Sequence, residues 1–199
     1  MSHAAVLLAG GKSSRMGRDK SMLPVNGQLL WQRQVAILRA TEPVELFISG
    51  KMDGPYAGCG IEILSDEFPD GGPLAGIASA LRRCASEYLL VLAVDMPAMT
   101  GDFLLTLIEE SQRMTAGVIP AEGMKDGSRH LEPLAAIYPR AASRFADECL
   151  CAGERKMEAF IRILETRGLV RIRPFEQRER SLFMNWNTPE DVEASELAK

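Results

Sequence analysis

The pattern of apolar and polar positions predicts strands and helices in alternation along the chain. Apolar runs predict strands at 4–8, 44–48, 61–64, 88–94, 116–120, 134–138 and 169–172. Helical spacing predicts helices at about 30–38, 72–83, 102–114, 141–149 and 156–166, and Thr188-Pro189 reads as one more helix start. Short connections join these elements. The pattern therefore predicts an α/β fold, a three-layer αβα sandwich around a mainly parallel, Rossmann-like sheet.

The stretch that follows the first strand carries the strongest chemical signal. Residues 8–20 read LAGGKSSRMGRDK and combine glycines, serines, lysines and arginines. Glycines let a backbone present its N–H groups closely to a ligand, and such groups together with basic side chains bind anions. Open α/β sheets bind ligands at the carboxyl ends of their strands, so a phosphate-binding loop is favoured over an ordinary glycine-rich turn. The spacing fits neither a P-loop nor the dinucleotide fingerprint, since Gly10 and Gly11 are adjacent.

Asp95 is the next candidate, because it directly follows the most continuously apolar run, 88–94. Such a run is typical of a central parallel strand, and its end lies at the ligand-binding edge of the sheet. Mg²⁺ typically takes one or two carboxylates together with substrate phosphates. The alternative is that Asp95 only caps the turn before Met96 and Pro97, which would not require so rigid a support. Asp95 is therefore predicted to be a metal ligand.

Composition limits the classes of partner. The 199 residues are 46% hydrophobic and 25% charged, which fits one globular domain, 1–199. A net charge of −4 disfavours nucleic acid, so a polyanionic ligand would depend on the local basic cluster of residues 8–20. No apolar run approaches the roughly 20 residues of a membrane span, and no signal peptide precedes the first strand. The four cysteines lack paired metal-ligand spacing. A cytoplasmic protein without nucleic-acid or membrane partners is expected.

Five motifs, taken in order and spacing, resemble a known family. LAGGKSSRMGRDK is followed by GGPLAGI at 71–77, VDMP at 94–97, AGERKMEAFIR at 152–162 and NWNTPEDV at 185–192. This set is similar to that of the molybdenum cofactor guanylyltransferases, the MobA family of nucleotidyltransferases. The resemblance implies a fold of the nucleotide-diphospho-sugar transferase type and Mg²⁺ as cofactor. It also implies transfer of GMP from GTP to molybdenum-bearing molybdopterin, with release of pyrophosphate.

Carried over motif by motif, the resemblance divides the chain into a GTP-binding N-terminal half and a cofactor-binding C-terminal half. It implies that Arg15, Lys20 and Asp95 are catalytic, with Asp95 as the metal ligand. The implied GTP site comprises Leu8, Ala9, Gly10, Gly11, Lys20, Asp66 and Asp95. The implied molybdopterin contacts are Arg155, Lys156, Asn185 and Asn187. The substrates would be GTP and the molybdopterin cofactor, and molybdoenzymes or their chaperones would be protein partners.

The chain departs from the family after its second long strand. Many relatives have an asparagine there, and this chain has Ser49, which offers fewer hydrogen-bonding groups. Arg129 and His130 precede a predicted strand and are candidates to line the same cleft. The charged stretch 176–180 is predicted to be a solvated loop.

Three alternatives stay open. A cytidylyltransferase acting on the same cofactor usually has Ala-Gly where this chain has Gly10-Gly11. A sugar-1-phosphate nucleotidylyltransferase would normally be longer, to house its sugar pocket. A non-catalytic nucleotide-binding module would not require both Lys20 and Asp95. The guanylyltransferase function is therefore favoured.

Overall fold

The structure, a computed structural model, describes residues 2–10, 20–25, 27–68, 70–123 and 128–186. The strands within these ranges are β1 His3–Leu8, β2 Pro24–Val25, β3 Gln28–Leu29, β4 Glu45–Ser49, β5 Glu62–Leu64, β6 Tyr88–Ala93, β7 Gly117–Gly123, β8 Arg129–Leu131, β9 Ala135–Pro139 and β10 Val170–Pro174. The α-helices are α1 Leu30–Arg39, α2 Gly72–Arg83, α3 Gly101–Met114, α4 Ser143–Cys151 and α5 Met157–Thr166. Short 3₁₀ helices span Lys20–Met22, Arg140–Ala142 and Gln177–Phe183.

One mixed sheet organises the described residues. Its strands run in the order β10-β7-β9-β6-β1-β4-β5, with β8 paired to β7. The pairs β1–β4, β1–β6, β4–β5 and β7–β10 are parallel, whereas β9 runs antiparallel to both β6 and β7. Strands β1 and β6 are buried along their whole length, which is the reason their sequences are apolar at every position except His3.

Helices cover both faces of the sheet. On one face α2, α4 and α5 pack over alternate residues of the strands, such as Val6 and Val91. On the other face α1 and α3 pack over the intervening residues, such as Leu7 and Leu92. Successive side chains of a strand point to opposite faces, so each central strand contributes to both cores. The predicted three-layer, mainly parallel α/β architecture is confirmed.

Two predictions for the second half of the chain were wrong or incomplete. The predicted loop around 176–180 is a 3₁₀ helix, Gln177–Phe183, and the Glu179 side chain is only 15% exposed because Arg173 binds it. The strand β8, Arg129–Leu131, was missed, since a short polar run gives no clear strand signal.

The predicted helix start at Thr188 lies outside the described residues. Among the described helices, none combines the length and apolar character that a bilayer crossing requires.

Candidate active site

The candidate site lies where the strand order reverses around β1. From β1 the chain passes through α1 to β4 on one side of β1, and later returns through α2 to β6 on the other. In this register Leu8, the last residue of β1, lies beside Ser49 of β4 and Ala93 of β6. The carboxyl ends of parallel strands meet at one edge, and a reversal of strand order opens a crevice there. The loops that carry the predicted site residues therefore leave the sheet side by side.

Lys20 and Asp95 form an ion pair at this edge. The Lys20 Nζ atom lies 3.7 Å from Asp95 Oδ2, and the two side chains are 19% and 26% exposed. Burial raises the pKa of the Asp95 carboxyl above its ordinary value, while the nearby Lys20 ammonium and a backbone hydrogen bond oppose that rise. The structure thus brings together two residues, 75 positions apart in the sequence, that were predicted to act on phosphate and metal.

The C-terminal segment reaches the same loop. The Trp186 N–H donates to the Asp95 carbonyl oxygen at 2.9 Å, and the Trp186 side chain is buried. Asn185, which was predicted to contact molybdopterin, is therefore next in sequence to a residue bonded to the Asp95 backbone, and its own side chain is exposed. Gly11, Arg15 and Asn187 lie outside the described residues, so their predicted roles stay predictions.

Ser49 organises the start of the loop after β1. Its carbonyl oxygen accepts the Ala9 N–H at 2.9 Å and the Gly10 N–H at 3.0 Å, while the Leu8 carbonyl oxygen accepts the Val94 N–H. Both loop amides are therefore directed at the β4 end of the sheet. The Ala9 and Gly10 N–H groups are thus both engaged by the Ser49 carbonyl oxygen, and the role of these residues in the GTP site stays a prediction.

Ser49 also contacts Asp66, the residue predicted to lie near the nucleoside. The Ser49 hydroxyl donates to Asp66 Oδ1 at 3.3 Å, and Ser49 is buried while Asp66 reaches solvent. Partial burial raises the pKa of the Asp66 carboxyl, and the Ser49 hydrogen bond opposes that rise. Helix α2 approaches closely here, since a Cβ atom on Gly76 would lie 2.4 Å from Ser49 Oγ. A glycine at position 76 is what admits α2 to this contact.

The basic residues predicted to bind molybdopterin lie at the link between α4 and α5. The N–H groups of Arg155 and Lys156 each donate to Glu154 Oε1 at 2.9 Å, which fixes the start of α5. No hydrogen bond or ion pair within the described ranges joins either residue to Asp95. The structure therefore brings Lys20, Asp95 and the Asn185 segment together and leaves the role of this basic link as a prediction.

The other two residues expected to line the cleft are engaged with acidic partners. Arg129 forms an ion pair with Glu165 at the end of α5. His130 Nε2 lies 3.6 Å from Glu132 Oε1, and the His130 side chain is 68% exposed. Burial raises the pKa of the Glu132 carboxyl, with His130 opposing the rise. Both side chains therefore have acidic partners, and their place in the cleft stays a prediction.

The donor set around Asp95 is compatible with Mg²⁺. Asp95 presents a carboxylate at the end of a rigid strand, and that carboxylate already attracts the Lys20 ammonium. No group of three or more His, Cys, Asp or Glu suited to a metal ion occurs in the part of the chain that the structure describes. One carboxylate supplemented by phosphate oxygens is a common way for proteins to bind Mg²⁺. Asp95 would be the protein ligand of such an ion.

Comparison with known proteins agrees with this geometry. The family model described as a MobA-like NTP transferase domain matches residues 5–170. A probable molybdenum cofactor guanylyltransferase of Opitutus terrae is 38% identical over 192 residues, covering 94% of this chain and 92% of the relative. The family model includes most of β1, strands β2 to β9 and the residues Lys20, Ser49, Asp66 and Asp95.

Solved structures share the fold. The molybdopterin-guanine dinucleotide biosynthesis protein A of Archaeoglobus fulgidus superposes with a TM-score of 0.74 at 22% identity, covering 98% of this chain and 97% of that one. The 4-diphosphocytidyl-2C-methyl-D-erythritol synthase of Anaerococcus prevotii gives 0.77 at 13% identity, covering 100% and 96%. At these identities the likeness defines the fold alone.

The matching family model and the similar relative, on a fold shared with solved structures, define the chain as a nucleotidyltransferase. The chain belongs to the family of MobA-like NTP transferases. The resemblance found in the five sequence motifs is thereby confirmed.

Proposed function

We propose that this protein transfers GMP from GTP to the molybdopterin cofactor, releasing pyrophosphate and forming a guanine dinucleotide. The observation that carries the proposal is the Lys20–Asp95 pair at the carboxyl edge of the sheet, with a distance of 3.7 Å between the ammonium nitrogen and the carboxylate oxygen. Support for guanine and for molybdopterin comes from the relative in Opitutus terrae, whose name describes a probable molybdenum cofactor guanylyltransferase.

The proposed reaction depends on stabilisation of negative charge more than on proton transfer. The attacking phosphate of molybdopterin is already an anion, so its attack on the α-phosphorus of GTP needs no strong general base. The obstacles are repulsion between two anionic reactants and the charge that develops on the departing pyrophosphate. Positioning and electrostatic stabilisation overcome both. Lys20 places a positive charge at the edge where the phosphates would lie, and we assign Arg15 the same task.

Asp95 is the residue that would hold the metal. When bound, Mg²⁺ supplies positive charge to the phosphate oxygens. The Asp95 carboxylate is kept in place by the rigid β6 strand and by the Trp186 N–H on its carbonyl oxygen. Lys20 would bind phosphate oxygens at the same edge of the sheet, beside the carboxylate that would hold the metal.

The remaining contacts divide between the two substrates. We assign the GTP phosphates to Leu8, Ala9, Gly10 and Gly11 and the nucleoside to Asp66, where Ser49 binds both the loop and the Asp66 carboxylate. We assign the molybdopterin side to the exposed Asn185, to Asn187 and to the basic pair Arg155 and Lys156. Cytoplasmic location, and delivery of the product to molybdoenzymes or their chaperones, follow as part of this proposal.

A thermal-shift panel tests the nucleotide half of the proposal. Each of GTP, ATP, CTP and UTP is added with and without Mg²⁺ to the wild type and to Asp95→Asn. A ligand at one hundred times its dissociation constant should raise the melting temperature by roughly 5 to 10 °C for a chain of this size. The expected result is a shift selective for GTP and enhanced by Mg²⁺ in the wild type only.

Two results would contradict the assignment. A larger shift with CTP would favour the cytidylyltransferase, and an equal Mg²⁺ enhancement in Asp95→Asn would remove Asp95 as the metal ligand. Asparagine has nearly the same volume as aspartate, so the variant changes the charge with little change in packing.

A further inference from the structure

The loop that carries Asp95 is held by donors from two other parts of the chain. The Asp95 carbonyl oxygen accepts the Trp186 N–H at 2.9 Å. The Met96 carbonyl oxygen accepts Gln34 Nε2 at 2.6 Å, and the Pro97 carbonyl oxygen accepts Arg33 Nε at 3.0 Å. Each of these three consecutive carbonyl groups is thus bound by a group that lies more than sixty residues away in the sequence. Helix α1 supplies two of the three donors.

Gln34 is an unusual residue for its position. It is 0% exposed and lies on the face of α1 that packs against the sheet, among the buried residues Leu30, Trp31, Val35 and Leu38. Its Nε2 atom binds Met96, and its Oε1 atom has no hydrogen-bond partner within the described ranges. A fully buried amide that leaves one polar atom unbonded costs free energy. An apolar residue would avoid that cost, so the fold gains little stability from glutamine here.

We propose that Gln34, assisted by Arg33, is a positioning residue that sets the orientation of the Asp95 carboxylate. Asp95 immediately precedes the two carbonyl groups that α1 holds, so a movement of Met96 and Pro97 rotates the peptide that carries the carboxylate. Displacements of about 1 Å in such a loop can reduce turnover by 100-fold. The inference rests on the proposed function, because it assigns Asp95 the task of binding metal beside the phosphates of GTP.

A matched pair of substitutions on α1 tests this role. Gln34→Met removes the donor at nearly constant volume. Gln32→Met makes the same chemical change two residues earlier, where Gln32 Oε1 accepts the Leu29 N–H at 3.4 Å and caps α1. Arg33→Met, at a half-buried position, weakens the same loop with less risk to folding. Gln32→Met is therefore the control, because it perturbs the same helix without removing a contact to the loop of Asp95.

Two readouts separate positioning from stability. The first is amide hydrogen exchange of Met99 and Trp186, whose N–H groups bond to the Met96 and Asp95 carbonyl oxygens. The second is the affinity for Mn²⁺ in the presence of GTP, followed by electron paramagnetic resonance, together with kcat and KM. Gln34→Met should accelerate exchange and weaken Mn²⁺ binding about tenfold, and it should lower kcat with KM for GTP within about twofold. Arg33→Met should act in the same direction, and Gln32→Met should match the wild type in both readouts.

Failure of the inference and failure of the proposed function are distinguishable. Exchange rates and Mn²⁺ affinities that agree among the α1 variants overturn the positioning role, whatever the overall activity. A wild-type protein that binds neither Mn²⁺ nor GTP overturns the proposed function, and the inference with it. The hydrogen-exchange comparison needs no ligand, so it shows in that case whether α1 still restrains the loop.

Discussion

The Lys20 ammonium lies 3.7 Å from the Asp95 carboxylate, and both side chains are largely buried at the carboxyl edge of the sheet. The positive group therefore reduces the cost of keeping a carboxylate ionised in a partly desolvated position. In the proposed function the same ammonium group would also stabilise the phosphates of GTP.

Lys20→Ala should retain the fold and lose most activity. The substitution removes a positive charge from the site, and the loss of one such stabilising group typically lowers kcat by about 100-fold or more. Pyrophosphate release and circular dichroism are measured side by side. Lys51→Ala, an exposed position just beyond β4, is the control for a general loss of positive charge. Near-normal turnover in Lys20→Ala would contradict the catalytic role assigned to Lys20.

Gly76→Ala should weaken both stability and GTP binding. A Cβ atom at position 76 would lie 2.4 Å from Ser49 Oγ and 3.1 Å from Leu8 Cδ2, so α2 or the β4 end must move. Alanine favours a helix, which offsets part of the strain, and a net loss of about 1–2 kcal/mol is expected in urea unfolding. Displacement of Ser49 should also raise KM for GTP through Asp66.

Gly123→Ala is the control for this substitution. Among the described residues other than its chain neighbours, none has an atom within 4 Å of the Cβ position there, so the free energy of unfolding should change by less than about 0.5 kcal/mol. Equal stabilities of the two variants would show that the contact between α2 and Ser49 is looser than its geometry indicates.

Arg173→Met should destabilise the C-terminal part of the described chain. Arg173 binds Glu110 on α3 and Glu179 on the 3₁₀ helix, each at 2.9 Å, and the three side chains are only 14–15% exposed. Removing the arginine leaves two carboxylates largely buried without a cation, at a cost of about 2–3 kcal/mol in urea unfolding. Activity should fall as well, because this 3₁₀ helix leads to the Trp186 contact with Asp95.

Arg178→Met gives the matched comparison. Arg178 is 80% exposed and pairs with Glu176 on the surface, so its loss should change the free energy of unfolding by less than about 0.5 kcal/mol. An equal effect of both substitutions would mean that the buried ion-pair network contributes no more than a surface pair.

The same network predicts a pH dependence of stability. The hydrogen bonds from Arg173 are the main cause that lowers the pKa of Glu179 below its ordinary value of 4.5. A lowered pKa in the folded protein adds stability that is fully present above pH 4.5 and is lost as the pH falls through the folded value. The stability difference between wild type and Arg173→Met should therefore narrow on acidification below pH 4.5. Urea unfolding of both proteins from pH 3 to 7 measures it, and a difference that stays constant would contradict the account.

Sequence patterns identified the central strands and the location of Asp95 for a simple reason. Strands β1 and β6 are buried on both faces, so apart from His3 their residues are apolar, and Asp95 stands out after the second run. The parallel arrangement then places the following loops at one edge, which is why Lys20 and Asp95 could be assigned to one site before their distance was known.

The hydrophobic pattern could not predict the direction of β9 or the partners of buried charged residues. An apolar run such as that of β9 reads the same in either direction. Strands β8 and β9 both run antiparallel to β7, so the chain has already reversed its direction before β8 begins. Glu179 looked solvated because the sequence does not show that Arg173 binds both Glu179 and Glu110 of the distant helix α3. Gln34 offered a signal that could have been used, since it is a polar residue within the apolar stripe of α1.

Pyrophosphate release by the purified protein tests the central claim most directly. The assay combines Mg²⁺ and molybdenum-bearing molybdopterin with GTP, and parallel reactions contain CTP or sugar 1-phosphates. The account predicts release that requires GTP, Mg²⁺ and molybdopterin together and that is lost in Asp95→Ala. Release that proceeds with CTP but not GTP, or with a sugar phosphate in place of molybdopterin, would contradict it.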